Sequence, residues 1–156
     1  MSDINFIDQF HNAAWDGDEN TVRSLLLTSK VNINDKDDRG YTALMIAAIK
    51  YKESMVSLLI HNGADINMKN NAGWTALVYA AMYSKASIVS LLIDNGADIN
   101  IKNNVDGETA LMYAVRNNEE SIVSLLIDKG ADINIKNNVS DIIFILLLLL
   151  LLYNEF

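Results

Sequence analysis

The 156 residues are 51% hydrophobic, enough to bury one continuous core, and the lack of any Pro together with only 7 Gly leaves no linker composition that would set off a second domain. Twenty acidic residues against 12 basic ones give a net charge of -8, which opposes the phosphate backbone of nucleic acid. The absence of Cys excludes a disulfide framework, a thiolate nucleophile and thiol-based zinc coordination, so a reducing compartment suits the chain.

Residues 1–10 contain Asp3 and Asp8 but no Lys or Arg, and so lack the basic and apolar regions of a secretory signal. A cytoplasmic location is expected, or delivery into a host cell where the source is a parasite, symbiont or virus. Next come Phe10-His-Asn-Ala-Ala-Trp-Asp-Gly17, Val22-Arg-Ser-Leu-Leu-Leu27 and Val31-Asn-Ile-Asn34, ahead of an internal repeat.

The repeat is marked by Gly40-Tyr-Thr-Ala-Leu44, Gly73-Trp-Thr-Ala-Leu77 and Gly107-Glu-Thr-Ala-Leu111, spaced by 33 and then 34 residues. Each is followed in register by Ser-Leu-Leu-Ile and then Gly-Ala-Asp-Ile-Asn, ending at Asn67, Asn100 and Asn134. The extra residue falls where Asn70-Asn-Ala-Gly73 becomes Asn103-Asn-Val-Asp-Gly107, a place where a loop can absorb it. Thr42 is suited to N-cap a short helix with Leu44, Ala47 and Ala48 on one face. Met55, Val56, Leu59 and Ile60 mark the apolar face of a second helix that ends near Gly63. The small Ala47, Ala48, Ala80 and Ala81 permit close helix approach, and no unit is large enough to bury its own face, so the units must stack.

Residues 36–138 resemble the ankyrin repeat, whose consensus reads roughly D-x-x-G-x-T-P-L-H-x-A-A and then L-L-x-x-G-A-D-V-N. The resemblance implies an all-α solenoid of stacked helix-turn-helix units joined by hairpin loops. Its domain covers 1–138, with a divergent N-terminal capping repeat at 1–35 and full repeats at 36–69, 70–102 and 103–137. Residues 139–156 form a separate apolar C-terminal segment. The chain departs from the family at Ala43, Ala76 and Ala110 in place of proline, and at Met45, Val78 and Met112 in place of histidine, which removes the Thr-His bonds that brace successive repeats. Tyr51, Ser84 and Asn118 replace the glycine between the two helices, so the Tyr51 and Ser84 turns are expected to be strained or reshaped.

The resemblance also implies a non-catalytic scaffold that binds another protein on the hairpins and first helices. The corresponding positions are Arg39, Tyr41, Ile49 and Lys50, then Ala72, Trp74, Met82 and Tyr83, then Asp106, Glu108, Arg116 and Asn117. Trp74, Tyr83 and Tyr41 are the expected anchors, because aromatics desolvate a large area with few rotors; the alternative is that Trp74 and Tyr41 lie flat against their own hairpins. Asp106 and Glu108 suggest an acidic end facing a basic patch on the partner. Asn67, Asn100 and Asn134 resemble asparagines that are hydroxylated in ankyrin repeats of animal cells, whereas an unmodified Asn there would simply bond the turn backbone.

No catalytic set, metal site or cofactor motif emerges. His11 and His61 stand in different repeats without an acidic partner at ligand spacing, and a surface or helix-end role is expected for both. Asp65, Asp98 and Asp132 recur with the repeat and so read as turn formers. After Asn138 the frame dissolves, and Ile142 through Leu152 is an apolar run of eleven Ile, Phe and Leu residues. As a helix it would reach about 17 Å against about 30 Å for a bilayer core, and its flanking Asp141 and Glu155 disfavour contact with an anionic membrane. A degenerate last helix that promotes self-association is the preferred reading.

Overall fold

The computed structural model describes residues 5–83 and 85–138. These contain helices α1 (Phe6–Asp16), α2 (Glu19–Leu27), α3 (Ala43–Ile49), α4 (Glu53–His61), α5 (Ala76–Met82), α6 (Ala86–Asp94), α7 (Ala110–Arg116) and α8 (Glu120–Asp128), with no strand among the described residues. Consecutive helices pair as antiparallel hairpins, and the pairs stack with the first helices in one row (α1, α3, α5, α7) and the second helices in another. This is the expected all-α repeat stack. Residues 139–156, including the apolar run, lie outside the described residues.

In each full repeat the first helix starts on a threonine whose hydroxyl accepts from a free backbone amide. Thr42 takes Met45 N at 3.3 Å, Thr75 takes Val78 N at 3.4 Å and Thr109 takes Met112 N at 3.5 Å. These helices have only seven residues and little intrinsic stability, so packing must hold them. Ala47, Ala48, Ala80, Ala81 and Ala114 are all fully buried and set the close spacing of the row.

The second helix of the first full repeat buries Met55, Val56, Leu58 and Leu59, while Ile60 is only half-buried. The inward face is therefore turned by one position from the sequence expectation, because Leu58 closes against the stack where Ile60 was expected. The helix ends with Gly63 in a left-handed conformation, Gly63 N donating to Ile60 O and Ala64 N to Leu59 O at 3.0 Å each.

Tyr51 adopts φ +60° and Asn118 φ +56°, so the turn between the two helices keeps the left-handed geometry despite the lost glycine. For Tyr51 this costs about 1–2 kcal/mol. It is held by Lys52 N donating to Ala47 O at 3.0 Å and by an edge contact of its ring with Tyr83. Ser84, the third such position, lies outside the described residues.

With the Thr-His braces gone, other polar contacts cross from repeat to repeat. Asn34, Asn67 and Asn100 each present Oδ1 to the backbone amide of the next repeat's Asp65, Asp98 and Asp132, at 2.9, 2.8 and 2.8 Å. Lys36, Lys69 and Lys102 donate to the carbonyls of Lys69, Lys102 and Lys136 at 2.8, 3.1 and 2.7 Å. Backbone rungs join the hairpins, from Asn71 N to Arg39 O, Asn104 N to Ala72 O and Asn138 N to Asp106 O. Asn67 therefore bonds the turn of its neighbour as well as its own, and it also donates to Gly96 O at 3.2 Å. Asn67→Ala should lower unfolding free energy by about 1 kcal/mol in urea titration, whereas Asn134→Ala, whose side chain turns back on Asp132 of its own repeat, should cost clearly less.

Candidate partner-binding surface

The hairpin that opens each full repeat is built around one side-chain carbonyl or carboxylate. Asp37 Oδ1 accepts from Arg39 N and Tyr41 N at 2.9 and 2.8 Å, and Asn70 Oδ1 from Ala72 N and Trp74 N at 3.0 and 2.9 Å. Asn103 Oδ1 accepts from the amides of Val105, Asp106 and Gly107. The inserted residue bulges out as Val105, 66% exposed, without moving the helices from register. Gly73 has φ +81°, and a Cβ there would lie 2.5 Å from Asn104 N, so a side chain would break the rung to the next hairpin.

This construction fixes Tyr41, Trp74 and Glu108 at equivalent places on the returning arms of the hairpins. Tyr41 meets Tyr79 of α5 at 5.6 Å between ring centroids. Trp74 is wedged edge-on between Tyr79 at 5.2 Å and Tyr113 of α7 at 5.6 Å. Its buried Nε1 has no hydrogen-bond acceptor, and the two tyrosine rings are its nearest aromatic neighbours. Trp74 is half-buried and braces two repeats, so it does not lie flat on its own hairpin. Tyr83, 40% exposed, stacks on Tyr79 at 6.5 Å.

Cations sit over several of these rings, as Arg39 over Tyr41 at 5.1 Å, Lys50 over Trp15 at 3.4 Å, Lys85 over Tyr51 at 4.0 Å and Arg116 over Tyr113 at 4.4 Å. Beneath them runs a hydrogen-bond chain, Asn70 Nδ2 donating to Tyr79 Oη at 2.9 Å and Tyr79 O–H to Tyr41 Oη at 2.8 Å. Burial, and then this donation to Tyr41, push the Tyr79 hydroxyl far above the ordinary phenol range.

A concavity of about 490 Å³ brings together Arg39, Tyr41, Ile49 and Tyr83 from the expected set, with Asp8, His11, Asn12, Trp15, Asp37, Ile46 and Tyr79. Lys50 flanks it over Trp15. Trp74, Met82 and Ala72 continue the surface as half-buried positions, and Arg116 and Asn117 are exposed beyond them; Asn117 Nδ2 donates back to Met82 O at 2.9 Å. Asp106 is half-buried and bonded to Asn103.

Two expectations need correction. Glu108 is only 3% exposed, not an acidic end presented to a partner. Arg116 Nη1 donates to its Oε1 at 3.0 Å and lies 2.8 Å from Oε2 as an ion-pair contact without a hydrogen bond. His11 is 6% exposed, not at the surface, and its Nε2 bonds Asp35 O at 3.1 Å, tying α1 to the last residue of its own N-terminal unit. His61 does stand at an exposed helix end. Tyr79, Tyr113 and Trp15 were not among the expected site residues. Tyr79 and Tyr113 stand four residues after the capping Thr75 and Thr109, the place of Ile46, where sequence alone reads as core.

A family model for ankyrin repeats, three copies, matches residues 10–103 and 63–137. No curated protein matches the chain. Among the described residues no helix is long and apolar enough to cross a membrane.

Burial raises the Glu108 carboxyl above its ordinary value of 4.5, with Arg116 opposing and Asp106 adding to the shift. The folded chain thus holds this proton more tightly than the unfolded chain. The residue's contribution is most favourable below 4.5 and declines as pH rises through the raised folded value. Thermal melts of Glu108→Gln and the parent should therefore diverge in favour of the amide between about pH 4 and pH 7; a difference independent of pH would show that Arg116 fully offsets the burial.

Proposed function

The chain belongs to the ankyrin-repeat family, whose members generally mediate protein-protein interactions, and we propose that it is a non-catalytic scaffold holding a partner protein against its hairpins and first helices. The observation that carries this is the concavity where exposed Arg39 and Tyr83 share a wall with half-buried Tyr41 and Ile49. Arg, Tyr and Trp supply most of the energy at protein interfaces when a pocket desolvates them. Here Tyr41 is held by the hairpin bonds of its backbone and by its ring contact with Tyr79, which leaves that side chain little ordering entropy to lose on binding. No cofactor enters this role.

The experiment is selection of binders from a displayed library of protein fragments, followed by affinity measurement on variants. Tyr83→Ala and Arg39→Ala should each weaken the selected binders by about tenfold, while Arg23→Ala on exposed α2 should leave them unchanged. Equal affinity for all three would place binding on another face.

A second reading, self-association through Ile142–Leu152, is supported by the composition of that run, eleven consecutive Ile, Phe and Leu residues. Lys102 bonds Lys136 O and Asp106 O accepts from Asn138 N, so the chain leaves Asn138 in the register at which a fourth unit would start. In sequence register the apolar run then matches the first helices, whose residues 43–48 and 76–81 are at most 9% exposed with repeats stacked on both flanks. A run of that composition has no polar face, which favours burial against a second copy. Light scattering should find the full chain associated and a version ending at Asn138 monomeric, both helical by circular dichroism; a monomeric full chain with an unfolded truncation would make the run an internal cap.

A further inference from the structure

We infer that the concavity takes an acidic segment of the partner, one carboxylate being received jointly by the Tyr41 hydroxyl and the Arg39 guanidinium with an apolar side chain seated beside it; this rests on the scaffold reading above.

The argument is an inventory of protons. Asn70 cannot be turned over, because its Oδ1 accepts two backbone amides, Ala72 N and Trp74 N. Its Nδ2 must therefore face Tyr79, and donates to that hydroxyl at 2.9 Å. Tyr79 in turn sends its proton to Tyr41 Oη at 2.8 Å. The Tyr41 hydroxyl thus receives a bond from inside the protein, and its own proton meets no acceptor among the described residues. Donation along such a chain polarises each member, which makes the last O–H a better donor than an isolated phenol.

Arg39 offers the second set of donors. Its side chain is 80% exposed, and the nearest carboxylate oxygen, Asp37 Oδ2, is 3.8 Å from Nε. Asp37 Oδ2 meets only Nε, as an ion pair without a hydrogen bond, and among the described residues the Nη groups have no hydrogen-bond acceptor beside the Tyr41 ring. Lys50, over Trp15, adds a further positive charge. The other acid of the wall, Asp8, accepts from Asn5 Nδ2 at 2.8 Å.

At the Tyr41 and Arg39 corner the open groups are a hydroxyl donor and a cation, which suit one anionic acceptor; Asp8 and Asp37 line the same concavity, so a second carboxylate would be repelled there. Trp15, Ile46, Ile49 and Tyr83 provide the apolar wall for a neighbouring side chain. The net charge of -8 repels an acidic segment from afar. At physiological salt that repulsion is damped beyond a Debye length of about 8 Å, leaving the contact terms to decide.

A displayed library of random short peptides, selected on the full chain, tests this. Enriched peptides should share an Asp or Glu next to an apolar residue. Changing that acid to its amide should weaken binding to the parent by about tenfold, and by much less to Tyr41→Phe or Arg39→Gln, because one shared contact is lost only once. Both variants should keep the parent's circular dichroism, the first retaining the ring and the second altering an exposed position. Enriched peptides that lack an acid yet lose affinity on Tyr83→Ala would overturn the acidic specificity and keep the scaffold reading. So would an amide penalty of equal size on the parent and both variants. If no enriched peptide responds to Tyr83→Ala, both readings fall.

Discussion

The close approach of the first helices governs the rest of the molecule. A pair of helices of seven and nine residues cannot bury its own apolar face, so each unit is stable only against a neighbour. Alanines at 47, 48, 80, 81 and 114 make the first-helix row tight, whereas the second helices meet through Met55, Val56, Ile88, Val89, Leu92 and Ile122, all but fully buried. The first helices accordingly pack more closely on one another than the second helices do. The hairpins and first-helix ends are thereby gathered on the inner side, where the concavity forms.

The polar rungs do a different job from the apolar core. Most of them are exposed, and each exposed hydrogen bond is worth about 1 kcal/mol or less net, so they are minor terms beside apolar burial of whole side chains. What they fix is registration. A non-directional core would tolerate small slides and rotations between units, but the Asn bridges at 34, 67 and 100 and the lysine bridges at 36, 69 and 102 are satisfied only at one displacement. They occupy the outer turns, away from Thr42, Thr75 and Thr109, whose hydroxyls are used within their own helices. The register usually braced from inside the repeat is here braced from its turns.

Much of this was legible because it repeats. The capping threonines, the helix-ending glycines and the loop insertion before Gly107 all follow from local chemistry that recurs at fixed spacing, and each unit confirms the others. What escaped was what differs between units. Glu108 stands in the place of Tyr41 and Trp74, and its burial depends on Arg116 eight residues on, a partner that no periodic pattern marks. His11 is buried and bonds Asp35 O at the far end of its own unit, a contact that no periodic pattern marks. Tyr79 reads as core by position and is buried, yet its hydroxyl runs to the surface through Tyr41. Sequence can assign a side chain to a face, but a long side chain with a polar tip belongs to two environments at once. The backbone rungs between hairpins were also invisible, since those bonds join residues 32 apart through the backbone alone.

Stability and recognition share residues in this fold. Tyr41, Tyr79, Trp74 and Tyr113 form a run of rings through three successive units, each ring held by one from the neighbouring unit. The proposed binding face is therefore a property of the assembled stack and is absent from any single unit. A ligand that bridges Tyr41 and Tyr83 touches two units at once, and by binding only the stacked state it must oppose their separation. In a linear array, where units otherwise fray independently, that linkage makes the occupied groove a clamp. The first full repeat is where it matters most, since Tyr51 there holds a left-handed turn without glycine. Strain in that turn and partner contact at its neighbours Ile49 and Lys50 act on the same few residues, so the strain is carried by the part of the stack that binding reinforces.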